Sequence, residues 1–197
     1  MKIPATVKTG AIFAAGLLFG AALFFPWNTV AEHAAAVAAH TAGAKGIVLE
    51  IKESSSEGMF DPRFLFSGIK ASTPMALARI SYLEADPATA SFVGEEKRFS
   101  VNAGSGMVQG RVGGMMSWRS ARADITLKKD STLIENITVD GEIKGRGTAE
   151  LSSAGKLVKA DIAFTLPQKF DTVLEAVAMI GSLPLKKDPS GEWRLKK

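Results

Sequence analysis

The hydrophobic period of the chain changes once, near Gly43. Before this residue the apolar side chains are continuous or spaced as in a helix. After it, apolar and polar residues alternate in short runs, as in strands with one face in water. The clearest such run is Lys156–Leu166, "KLVKADIAFTL". The pattern predicts an N-terminal helical part, followed by a single β-rich domain at 43–197.

Residues 9–27 contain no charged side chain. At about 1.5 Å per helical residue, this stretch would be about 28 Å long, close to the roughly 30 Å of bilayer hydrocarbon. Lys2 and Lys8 precede it, which predicts a cytoplasmic tail at 1–8 and a periplasmic C-terminal domain. We therefore predict a single transmembrane helix at 9–27. Its predicted membrane-anchoring side chains are Phe13, Leu17, Leu18, Phe19, Leu23, Phe24, Phe25 and Trp27.

A cleaved secretory signal is the alternative interpretation of the N-terminus, because a small-residue site is present at 34–36. The length of the apolar run and the bulky side chains at 24–28 favour retention. Asn28 is predicted as the N-cap of a juxtamembrane helix at 28–42, which would run through that cleavage site. This helix is expected to lie on the membrane surface or over one end of the next domain.

The β-rich domain is predicted as a curved antiparallel sheet, an open half-barrel or roll, with one or two short helices. One helix is expected at 171–183, with Asp171 as its cap, and the last strand at 191–197. Predicted turns separate the strands at 54–58, 93–96, 128–132, 145–147 and 152–155. One apolar sheet face, either a closed core or an open groove, is predicted from Phe64, Phe66, Phe99, Val101, Val158, Ile162 and Phe164.

The composition excludes several classes of site. The 24 basic and 20 acidic side chains are interspersed, and a net charge of +4 does not indicate a nucleic-acid-binding surface. Cysteine is absent, which excludes disulfides, thiolate zinc sites and cysteine nucleophiles. His33 and His40 do not have the i, i+4 spacing of a helical metal pair. No catalytic residue, cofactor or metal is predicted, although an acid pair brought together by folding stays open.

Glycines are concentrated in "GSGMVQGRVGG" at 104–114. Gly104 and the next glycine have the spacing of a dinucleotide-binding loop, but Gly110 comes one residue too late. The residues that follow do not open a helix. Bulges or a close approach of strands are therefore the predicted role of these glycines.

Several segments together resemble the type II secretion system protein N family. The resemblance includes the basic tail with one anchor, the phenylalanine–proline step at 25–26 before a short helix, and "GMFDPRFLFSGIKAST" at 58–73. It also includes the glycine-marked hairpin at 135–151 and the closing segment at 181–195. It covers nearly the whole chain through short glycine-marked pieces. Longer members continue through another strand, so this chain is expected to be a short form.

The resemblance implies a non-enzymatic accessory or assembly component of the type II secretion apparatus, anchored in the bacterial inner membrane. Its partners would be membrane lipid and other inner-membrane or periplasmic secretion proteins, through the edges or faces of the sheet. A more distant likeness to AsmA-like proteins implies the alternative of a lipid-binding or lipid-transfer protein with an apolar groove. A signal-processed periplasmic binding protein is a third possibility, and an enzyme the least favoured.

Overall fold

A computed structural model describes residues 25–58, 62–88, 95–111, 114–180 and 184–197. Its main element is one antiparallel sheet, with two α-helices. The helices are α1 (Trp27–Gly43) and α2 (Asp171–Ile180), the latter preceded by a 3₁₀ turn (Gln168–Phe170). The strands are β1 (Val48–Glu50), β2 (Glu53–Glu57), β3 (Arg63–Ser72), β4 (Ala76–Pro87), β5 (Lys97–Ala103), β6 (Gly106–Gly110), β7 (Gly114–Leu127), β8 (Ser131–Gly141), β9 (Lys144–Ser152), β10 (Leu157–Thr165), β11 (Leu185–Lys187) and β12 (Trp193–Lys196).

The strand order is β1-β3-β4-β5-β7-β8-β9-β10-β12-β11, with β2 beside β3, and β6 between β4 and β7. All pairs are antiparallel. β5 and β6 keep one register against both neighbours, so they form a single long strand interrupted at 104–105. Within the described ranges, the two outer edges of the sheet do not pair with each other. The prediction of an open, mainly β, antiparallel sheet is confirmed.

The sheet is curved, as a contact between distant strands requires. A Cβ added to Gly155, in the turn between β9 and β10, would lie 3.1 Å from Nζ of Lys45, just before β1. Six strand-to-strand steps separate β1 from β9, which would be about 29 Å in a flat sheet at about 4.8 Å per step. A lysine side chain cannot span that distance, so the sheet must bend to bring the two together.

Helix α1 occupies nearly the predicted range, but Asn28 is not its N-cap. The helix begins at Trp27, after Pro26 in the cap position. The Oδ1 atom of Asn28 instead accepts hydrogen bonds from the backbone N–H (2.8 Å) and the hydroxyl (2.9 Å) of Ser56 in β2. The N-cap prediction is therefore wrong, because a tertiary partner uses the side-chain oxygen that would have capped the helix.

The small side chains of α1 pack against the sheet. Ala31 is fully buried, whereas Val30 and Val37 are 36% and 49% exposed. Contacts with β1, β2 and β3 place α1 over one end of the sheet, the second of the two positions expected from the sequence. Alanine allows a close approach of the helix, so the larger valines face outward.

The predicted membrane helix falls mostly outside the described residues. The helices within the described ranges are all too short or too polar to cross a bilayer. Of the predicted anchor, the structure describes only 25–27. Phe25 is 47% exposed, and the ring of Trp27 lies 6.3 Å from that of Phe64 in β3.

Two predicted turns are strands, and both errors have a physical cause. The polar segment at 54–58 lies mostly in β2, an edge strand that needs few apolar residues and is bonded by Asn28. Residues 145–147 lie inside β9, and the turn comes earlier, at 142–143. A Cβ on Gly147 would lie 2.2 Å from the carbonyl oxygen of Asp161, so this glycine permits a close approach of β10.

The C-terminal predictions are largely confirmed. Helix α2 ends at Ile180, and residues 181–183 of the predicted helix lie outside the described residues. The cap prediction for Asp171 is wrong, because Asp171 is the first helical residue of α2 and its side chain bonds to Trp193 and Lys187 instead. The last strand is confirmed as β12, whereas the edge strand β11 was not predicted because three residues are too few for a periodic signal.

Candidate interaction face

Strand register places six of the seven predicted face residues on one side of the sheet. Directly opposed residues of neighbouring strands share a side, and so do residues two apart along one strand. Phe66 begins a cross-strand row that ends at Trp193. We call this side the apolar face. The row consists of Phe66, Leu83, Ala103, Ala121, Val139, Gly145, Phe164 and Trp193.

Two neighbouring rows carry the other predicted residues of the apolar face. They run parallel to the first and contain small side chains near the middle of the sheet. The second row has Phe64, Ala85, Val101 and Ala123, then, past a bulge, Ile137, Gly147, Ile162 and Leu195. The third has Pro87, Phe99, Ile125, Ile134, Ala149 and Ala160.

Val158 is the one predicted face residue that does not join a row. The β9–β10 register shifts between Leu157 and Lys159, so Val158 lies at a bulge without an opposed residue. Its side chain is 52% exposed. The sequence alternation suggested the same side as Ile162, but a bulge adds one residue and breaks the count.

Both ends of the apolar face carry a helix. At one end, Trp27 of α1 approaches Phe64 of the first strands. At the other, the indole N–H of Trp193 donates to Asp171 at the start of α2 (3.0 Å). Trp193 and Phe170 are only 2% and 5% exposed, so this C-terminal end is a packed core of large side chains.

The middle of the apolar face has no comparable cover from the described residues. The main helix contacts are those of α1 with β1–β3 and of α2 with β11, not with β4–β9. Phe99, Val101, Ala123, Ile125 and Val139 are half-buried. An apolar floor with helices at both ends can accept an apolar surface of another molecule.

The glycines at 104 and 106 receive aromatic rings on the other side of the sheet. A Cβ on Gly104 would lie 2.3 Å from a ring atom of Tyr82, and one on Gly106 would lie 2.1 Å from a ring atom of Trp118. The Trp118 indole N–H also donates to the carbonyl oxygen of Gly104 (3.0 Å). Close contact is present at both glycines, but aromatic rings make it rather than the predicted approach of strands. The missing signal was the aromatic residues on the two neighbouring strands, β4 and β7.

Two hydrogen-bonded carboxylates, those of Asp171 and Asp124, have a lowered pKa. The hydrogen bond from Lys187, and then that from Trp193, lower the pKa of Asp171 below its ordinary 3.8. Asn136, in a left-handed conformation at a bulge of β8, donates to Asp124 (2.8 Å) and is the main cause of the lowered pKa of Asp124. Across the described residues, no group of His, Cys, Asp or Glu side chains could hold a metal.

Both sheet edges are poorly suited to adding a strand. At the β2 edge, next to α1, the backbone N–H of Ser56 already donates to the side chain of Asn28 and is not available to an added strand. At the other edge, β11 has three residues and exposes Lys186 and Lys187. Short length, covering and lysine are features that protect edges from pairing. The apolar face is therefore the larger candidate surface for interaction.

Comparison with known proteins gives one family. The model of the type II secretion system protein GspN-like family of Synergistales matches residues 5–197. No curated protein and no solved structure matches the chain.

Proposed function

The chain belongs to the GspN-like family of type II secretion system proteins, and we propose that it serves there as a non-enzymatic accessory or assembly component. Membership makes it a component of the secretion system. In this proposal the chain is anchored in the inner membrane by a single helix at 9–27, and its sheet lies in the periplasm. The contact surface with other secretion proteins is the apolar face.

The half-buried middle of the apolar face is the observation that carries this proposal. Three rows of apolar side chains cross β4–β9 without a helix over them in the described part of the chain. Contiguous exposed apolar surface is costly in water and marks sites of interaction. The strand edges, by contrast, are shortened or covered. A partner would therefore bind across the face, by burying side chains, rather than extend the sheet.

Site-specific photo-crosslinking on one strand tests the proposal. Ile125 lies on the apolar face and the adjacent Thr126 on the opposite side, so the two form a matched pair. A photoreactive phenylalanine analogue is placed at each position in cells that assemble the secretion system. We expect Ile125, and not Thr126, to give protein adducts that contain a secretion component. Equal adducts from both positions, or none from Ile125, would contradict the proposal.

The proposed anchor has a separate test. The full-length chain should stay in the membrane pellet after an alkaline wash, with an intact N-terminus. A mature N-terminus near residue 35 would instead support the cleaved signal.

The alternative of lipid handling is favoured by the same half-buried face, because acyl chains are also apolar. In the crosslinking experiment it predicts lipid adducts at Ile125 in place of protein adducts. Lipid recovered with the protein after mild detergent extraction, identified by mass spectrometry, would support it.

A further inference from the structure

One cross-strand row on β1, β3, β4, β6 and β7 places two cations directly opposite each other. Lys70 of β3 is opposed to Arg79 of β4. Toward the edge of the sheet, the row continues from Lys70 to Glu50 in β1. In the other direction, it continues from Arg79 to Met107 in β6 and then to Ser117 in β7. Like charges opposed in this way destabilise a sheet. The presence of this unfavourable pair therefore requires an explanation.

The positive charge of this row is only partly compensated. Nζ of Lys70 lies 3.2 Å from Oε2 of Glu50. Arg79 forms no ion pair with the carboxylates of the described residues, and neither does Lys52. The stem of Lys52 lies against Gly68, where a Cβ would be 2.7 Å from its Cδ. A side chain on Gly68 would displace Lys52, so the glycine helps to hold a third cation beside the pair.

These cations border a cleft of about 840 Å³ that also has apolar walls. Met107 and Met115 line it, and Met115 is 51% exposed. Methionine adapts its shape to irregular apolar ligands. The hydroxyls of Ser81 and Ser105 are also at the cleft and can donate hydrogen bonds. The volume is in the range of small-molecule sites, which combine apolar walls with a few convergent polar groups.

We propose that this cleft binds the phosphate or carboxylate group of an anionic amphiphile. The anion lies between Arg79 and Lys52, where it offsets the repulsion between Arg79 and Lys70. The apolar part of the amphiphile contacts Met107 and Met115. By register Lys70 and Arg79 lie on the same side of the sheet as the apolar face, beyond the row that begins at Phe66. The inference rests on these residues and not on those that carry the proposed protein contact.

Calorimetric titration of the full-length chain in phosphatidylcholine nanodiscs tests the inference. The probes are dihexanoyl phosphatidic acid, dihexanoyl phosphatidylcholine and inorganic phosphate, each corrected with empty nanodiscs. We expect phosphatidic acid to bind at least about tenfold more tightly than either of the others, since both the charged contact and the apolar contact are needed. Inorganic phosphate binding as tightly as phosphatidic acid would exclude an amphiphile, and equal binding of phosphatidylcholine would exclude an anion site.

Variants that change the charge of single side chains test which cations bind the anion. Arg79→Glu puts an opposite charge across from Lys70, so it should preserve or raise the melting temperature while phosphatidic acid affinity falls at least about tenfold. Lys52→Gln should weaken binding less. Lys159→Gln removes an exposed cation outside the cleft and is the matched control, with unchanged affinity. Unchanged affinity in Arg79→Glu would overturn the inference, and so would a large fall in its melting temperature, which would indicate a structural role for Arg79.

Discussion

The C-terminal end and the middle of the apolar face contain the same kinds of side chain, but these are buried to different extents. Both consist of aromatic and aliphatic side chains in continuous cross-strand rows. At the C-terminal end the 3₁₀ turn and α2 close over the sheet, and Trp193 and Phe170 are almost fully buried. In the middle, Phe99, Val101 and Ile125 are only half-buried. The difference shows that alternation along a strand defines an apolar side, whereas burial depends on what packs over it.

The largest effect expected from this difference is on stability. Trp193→Ala removes a buried indole that also donates to Asp171, so it should lower the free energy of unfolding by about 3–5 kcal/mol. Leu83→Ala, in the same row but half-buried in the middle of the face, should lower it by only about 1–2 kcal/mol. Denaturant titration of the two variants measures this. Equal losses would mean that the middle of the face is a packed core.

A second comparison concerns the space around two glycines of the sheet, which differs between the two sides. Gly106→Ala would place a Cβ 2.1 Å from Trp118 and 2.7 Å from the backbone oxygen of Arg79. Overpacking of this kind costs about 1–3 kcal/mol, so we expect a clear fall in the denaturant midpoint. Gly145→Ala is the control on the apolar face, because its nearest neighbour would be 3.6 Å away. A destabilisation by Gly145→Ala as large as that by Gly106→Ala would contradict the packing described for the rings.

The C-terminal end should also respond to pH. The pKa of Asp171 is lowered in the folded state, so its contribution to stability is present above its ordinary value of 3.8 and is lost as the pH falls through the lowered pKa. Asp171→Asn should therefore lower the melting temperature at pH 7, by less than the glycine variant. The gap from wild type should close as the pH falls below 3.8 and through the lowered pKa. A gap that persists in acid would show that charge is not the cause.

The smallest expected effect concerns the opposite end of the sheet. Asn28→Ala removes both hydrogen bonds to Ser56, at a cost of about 1 kcal/mol that is largely local to β2. Hydrogen exchange should speed up at the Ser56 amide. The amides between β9 and β10 should be unchanged, and equal acceleration there would point to global destabilisation instead.

The sequence predicts more of the sheet than of its surroundings. Alternation identified β10 and the common side of Phe64, Phe66, Phe99 and Val101, because a period of two is a local property. It could not identify the bulge at Val158, the partner of Asn28, or the rings over Gly104 and Gly106, because each depends on residues far away in the chain. The opposed cations Lys70 and Arg79 were missed for the same reason. Register, which the sequence does not encode locally, brings them together.

Cysteine accessibility tests the central claim most directly, because the chain has no cysteine of its own. Ala123→Cys lies in the middle of the apolar face, and Ala160→Cys, at a position only 2% exposed, is the control in the neighbouring row. Both are treated with a small maleimide in the folded, full-length protein. An open face predicts that Cys labelling at 123 is at least about tenfold faster than at 160, where reaction requires local opening. Equally slow labelling at the two positions would contradict an open apolar face.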